Sequence, residues 1–90
     1  MASYSLGIKK SAAKELESVA GKKDRQRIVD RIQNLAQNPR PPGVEKLSGT
    51  AEKYRIRQGD YRVVYEIDDK ALTVSIVKIG HRKDIYRRVK

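Results

Sequence analysis

The sequence contains no cysteine and a single histidine, His81. Without cysteine there is no disulfide framework, no thiolate metal site and no cysteine nucleophile. One histidine argues against a histidine-based zinc centre, so neither a metal nor another cofactor is expected. Long apolar runs are also missing: they extend only a few residues, against the roughly 20 needed for a membrane-spanning helix. No secretory signal pattern is visible at the N-terminus, so a soluble, cytoplasmic protein with no membrane attachment is expected. At 90 residues the chain makes one small domain spanning 1–90, and a domain of that size buries only about 60% of its unfolded surface, leaving a thin core.

Basic charge is what the sequence has in excess. Its 21 Lys and Arg outnumber 11 Asp and Glu, for a net charge of +10. Residues 1–52 hold 10 basic and 6 acidic side chains and residues 53–90 hold 11 and 5, so the excess is denser in the shorter C-terminal part. Such a chain attracts polyanions, and nucleic acid is the usual partner. Anionic lipid and an acidic protein fit the same charge.

Period-2 alternation predicts a short first strand over 3–9, with Tyr4, Leu6 and Ile8 on one face. Ser11 suits a helix N-cap, followed by a helix over 12–20 with Ala13, Leu16, Val19 and Ala20 inward. Gly21 breaks it. A second helix over 23–37 sets Ile28, Ile32, Leu35 and Ala36 at helical spacing with Val29 beside them, and Arg25, Arg27 and Arg31 on a solvated face. Proline at 39, 41 and 42 then ends the helical pattern. Residues 44–49 read as a loop or a short extended piece. Three strands follow, over 53–58, 61–68 and 72–79, joined by the turn chemistry of Gly59-Asp60 and Asp68-Asp69-Lys70. Leu72, Val74 and Ile76 alternate inward on the last, with Val77 and Ile79 on its other face. The expected fold is α+β: an N-terminal strand, an αα-hairpin, an antiparallel three-stranded meander and a short C-terminal helix over 84–89.

Strand alternation puts Arg55 and Arg57 opposite Tyr54 and Ile56, and Arg62 falls near Arg57 across the hairpin. If sequential strands are neighbours, Arg55, Arg57, Arg62, His81, Arg82 and Tyr86 share one concave patch beside a turn at Gly80. That inventory suits RNA cleavage without a metal. A 2′-hydroxyl attacks the adjacent phosphorus, negative charge builds on the non-bridging oxygens, and fixed guanidinium groups stabilise it. His81 has the side chain whose ordinary pKa lets it move a proton near neutral pH, and Tyr86 can stack on a base. Each residue has a plainer role open to it as well. His81 can bond locally in a turn, Arg62 and Arg82 can pair with Glu66, Asp60 or Asp84, and Arg55 and Arg57 can line a solvated strand face. Tyr54, Tyr61 and Tyr65 read as packing residues.

The runs Y-R-I-R-Q-G-D-Y-R-V-V-Y and V-K-I-G-H-R-K-D-I-Y-R resemble the RelE/ParE superfamily of toxins from toxin–antitoxin pairs. The resemblance is specific over 53–88 and extends to the K-x-L-x-G segment at 46–49. A RelE-type member is a ribosome-dependent endoribonuclease that cuts mRNA in the A site and is silenced by an acidic RelB-type antitoxin in a hetero-oligomer. The resemblance implies Arg62, Arg82 and Tyr86 as catalytic residues, joined by His81 for its proton chemistry, and Arg55 and Arg57 as RNA-binding ones; Lys46 and Lys53 are the further basic residues expected to bind RNA. One departure matters: the superfamily's best-known enzymes carry lysines where Arg55 and Arg57 stand, and arginine is a poor proton acceptor. Two other readings stay open at this point, a ParE-like inhibitor of DNA gyrase and a non-catalytic RNA-binding module.

Overall fold

Alternating sequence in the C-terminal half becomes the centre of a five-stranded sheet. The computed structural model describes residues 3–47 and 52–81. Its elements run β1 (Ser5–Ile8), α1 (Lys10–Glu17), α2 (Lys22–Asn34), β2 (Glu45–Lys46), β3 (Lys53–Gln58), β4 (Tyr61–Asp68) and β5 (Thr73–His81). Spatial order is β1-β5-β4-β3-β2. The meander β3-β4-β5 is antiparallel, as its turn residues predict, and β1 adds to β5 in parallel. The α+β architecture is therefore the expected one, while the helix expected over 84–89 lies outside the described residues.

Both helices cover one face of the sheet. Ala12, Val19, Ile28 and Leu35 from the helical half join Tyr54, Ile56, Val63, Tyr65, Ile67, Val74, Ile76 and Ile79 in a single buried cluster. The helix starts earlier than Ser11 would place it. Lys9 is the N-cap, extended at φ −68° and ψ 150°, because its N–H is still held by the Ile76 carbonyl at 2.9 Å as the chain leaves β1. Helix phase follows from that start: Ala12 is buried and Ala20 exposed. Gly21, at φ 91°, makes the turn between the helices in a conformation costly for other residues.

The last strand carries a bulge that its sequence does not announce. Val64 pairs with Lys78 but Tyr65 pairs with Ile76, so Val77 is an extra residue. An added residue reverses the alternation beyond it. Ile79 consequently points into the core at 1% exposure, not to the outer face expected of it. The strand also runs on through Gly80 and His81, where a turn was expected.

Leu72, expected as the strand's first inward residue, instead closes the β4–β5 turn at φ 55°. Asp68 Oδ1 accepts the N–H groups of Lys70 and Ala71 at 3.0 and 2.9 Å in the same turn. A left-handed backbone costs an ordinary L-residue about 1–2 kcal/mol, and asparagine tolerates it better. Leu72→Asn is therefore expected to raise stability by about 0.5–1 kcal/mol, read as a higher urea midpoint at unchanged slope. A lower midpoint would mean that the partly exposed leucine packs well enough to outweigh its strain.

Tyr65 anchors the proline segment to the sheet. It is fully buried, and its hydroxyl donates to the Pro39 carbonyl at 2.7 Å. Burial pushes its pKa up to about 12. A raised folded pKa means this contribution is complete below the unfolded tyrosine value near 10 and disappears as pH climbs through 12. Compared by urea unfolding, wild type should exceed Tyr65→Phe by about 1–2 kcal/mol at pH 8. The gap should close between pH 10 and 12; a gap constant to pH 12 would rule out ionisation of Tyr65 as the cause.

Candidate nucleic-acid interface

The face turned away from the helices carries the arginines. Arg55 and Arg57 alternate with buried Tyr54 and Ile56 on β3, and the register sets Arg57 directly opposite Arg62 and Arg55 opposite Val64. Gly80 of β5 lies on the other side of Arg62 and adds no side chain over the guanidinium. Arg62 is only 8% exposed, and its Nη1 donates to the Tyr61 carbonyl at 3.3 Å. Among the described residues no carboxylate forms an ion pair with Arg62 or Arg57. Two like charges facing each other across a ladder repel, and a buried cation without an anion is costly. The pair therefore presents two guanidinium groups without a carboxylate partner among the described residues, and the guanidinium fork has the geometry to match phosphate oxygens.

The other basic residues expected to bind RNA are occupied. Arg55 meets Glu45 at 3.1 Å, because β2 sets Glu45 opposite it. Lys53 lies 3.9 Å from Glu66, and Lys46 lies 3.3 Å from Glu52. Exposed pairs of this kind are worth little, so the lysines can exchange a carboxylate for a phosphate at small cost, whereas Arg55 is largely enclosed. Arg31, assigned from sequence to a solvated face, is half-buried and reaches the Arg57 carbonyl at 3.5 Å.

His81 is not on this face. It pairs with Tyr61, two residues from core-facing Val63 and Ile79, so alternation turns it toward α1. The imidazole stands edge-on to the Tyr61 ring, with centroids 5.6 Å apart and planes at 79°. The bulge at Val77 is the reason that one shared patch, as the unbroken pattern implied, does not form. Arg82 and Tyr86, with residues 48 and 49 of the K-x-L-x-G segment, lie outside the described residues.

Sequence reading also missed a polar network at the opposite end of the sheet. Arg40 donates bidentately to Asp69 at 3.2 and 2.9 Å and through Nε to the Tyr54 hydroxyl at 3.1 Å. Tyr54 donates to Glu52 at 2.6 Å, and Tyr4 donates to Asp69 at 2.7 Å. The Arg40 hydrogen bond, followed by that of Tyr4, holds the Asp69 carboxyl below its ordinary range. The Tyr54 hydroxyl, followed by Lys46, does the same for Glu52. The network ties β1 and the proline segment to the meander. Nothing in the local pattern around Arg40 signals it, since its partners lie 14 and 29 positions away.

The sequence profile of the ParE toxin of type II toxin–antitoxin systems (parDE) matches residues 6–86. The chain belongs to this family. This ParE-family toxin is 32% identical over 84 residues to toxin RelE of Mycobacterium tuberculosis, covering 93% of this chain and 87% of that one. Against toxin RelG of the same organism it is 49% identical over 43 residues, 48% of this chain and 46% of RelG. Its fold matches an archaeal RelE–RelB complex from Pyrococcus horikoshii at a TM-score of 0.80 and 34% identity, covering 89% of this chain and 96% of that one. The protein is thus a type II toxin of the RelE/ParE superfamily, as the motifs at 53–88 implied.

Proposed function

We propose that this toxin is a ribosome-dependent endoribonuclease that cleaves mRNA in the A site and is silenced in the cytoplasm by an acidic RelB-type antitoxin. The observation that carries this reading is the Arg57–Arg62 pair: two guanidinium groups opposed across a ladder, one of them buried, with no carboxylate partner among the described residues. In the reaction the 2′-oxygen forms a bond to the adjacent phosphorus as it loses its proton. The bond from phosphorus to the 5′-oxygen breaks and that oxygen gains a proton, leaving a 2′,3′-cyclic phosphate and a 5′-hydroxyl. Arg62 and Arg57 stabilise the charge that grows on the phosphoryl oxygens. Arg82 and Tyr86, carried over from the resemblance, complete the set on the same reading. Arginine stays charged and His81 faces α1, so positioning and charge stabilisation carry most of the rate.

A +10 chain also calls for a partner of opposite charge, which favours an acidic antitoxin in a hetero-oligomer. The family match supports a second reading, a ParE-like gyrase inhibitor that needs no cleavage chemistry. Primer extension on an mRNA in a defined translation reaction separates them. Cuts at A-site codons that require ribosomes support the nuclease. Intact mRNA with growth arrest and DNA breaks would replace it with the gyrase reading.

A further inference from the structure

The same end of the sheet has a second feature, on its helix-covered side. A cleft of about 310 Å³ opens between α1 and the end of β5, lined by Lys14, Ser18, Tyr61, Lys78 and His81 among others. It lies at the low end of the range typical of small-molecule sites. Its walls are the half-exposed rings of Tyr61 and His81, set edge to face. Lys14 places positive charge at the rim. The one acid lining it, Glu15, accepts hydrogen bonds from Lys78 Nζ and from the Ile79 N–H at 3.0 Å, so Glu15 and Lys78 offset each other's charge.

Geometry ties this cleft to the arginine face. Tyr61 and Arg62 are consecutive on β4, and so point to opposite sides of the same strand end. Gly80 and His81 repeat the relation on β5. A polyanionic chain held by Arg57 and Arg62 therefore has an aromatic, positively rimmed cavity just over the edge from its phosphate. Every nucleobase has a flat face that stacks on such rings, and a cation at the rim, Lys14, suits a flanking phosphate. Resting on the reading of the arginine pair as a phosphate site, we propose that the Tyr61–His81 cleft holds one nucleobase of the bound RNA. The strand crosses the end of the sheet, with its phosphate on one side and its base on the other.

Fluorescence anisotropy with labelled single-stranded oligoribonucleotides tests this, using an intact strand and a set in which one abasic nucleotide is moved along it. For the wild type, one abasic position should weaken binding about 10-fold, and the ratio should persist as salt is raised. In Tyr61→Leu the abasic penalty should vanish, and Tyr61→Phe should restore it. Because Tyr61 also packs against the core, Ser18→Leu is a second variant: it fills the cleft from the exposed C-cap position of α1 and should likewise remove the penalty. A penalty equal in wild type and both leucine variants, or absent at every position, overturns the proposal. If Tyr61→Leu releases the antitoxin while the abasic penalty remains, the cleft belongs to the protein partner and the proposal is equally overturned. Arg62→Ala reads the phosphate site separately. It should weaken intact and abasic strands alike and lower the salt slope by about 1, and failure there counts against the arginine reading whatever the cleft does.

Discussion

Arg62→Ala is expected to slow mRNA cleavage by about 10²–10³-fold, the usual consequence of removing one fixed donor from a developing oxyanion. Cells expressing it should keep growing where wild type arrests them. The reason is placement. Arg62 lies in the middle of the three paired strands, between Arg57 and Gly80, and its enclosure means little reorganisation is needed when charge appears on a phosphate. Arg62→Lys should recover only part of the rate, since an ammonium keeps the charge but loses the planar two-point contact. Stability should change little, because deleting a buried cation offsets the packing lost with its stem. Growth arrest that survives Arg62→Ala, in a protein that still folds, would remove the nuclease reading.

Ile76→Ala should strongly destabilise the fold. Ile76 is fully buried and pairs with Ile8 on one side and Tyr65 on the other, so its loss opens a cavity at the only parallel ladder among the described residues. Truncations of this kind cost about 2–5 kcal/mol. A chain of this length has a total stability of only about 4–13 kcal/mol. The variant should therefore unfold at a much lower urea concentration with an unchanged slope. An antitoxin that binds only the folded toxin should restore part of the loss by mass action. A midpoint within 1 kcal/mol of wild type would show that β1 and the helices close over the gap, which rigid, close-packed interiors seldom allow.

Much of this protein was legible in one dimension. The alternation of Tyr54, Ile56, Val63, Tyr65 and Ile67 fixes which side of β3 and β4 is buried, and the two-residue Gly59-Asp60 turn fixes their register. Arg57 therefore had to face Arg62, and that pairing could be read before the fold was known. The reason is that hairpins are local: turn chemistry and a period of two determine pairing and face together. Where partners are distant, that logic stops. Only the folded sheet put Glu45 against Arg55 through a two-residue strand, joined Arg40 to Asp69, and laid β1 alongside β5. The bulge at Val77 shows the limit best. It shows only in the pairing of β4 with β5, yet it reverses every side chain after it. The sequence placed His81 beside the arginines. Tertiary structure turned it to the other side of the sheet, where with Tyr61 it forms a separate cleft.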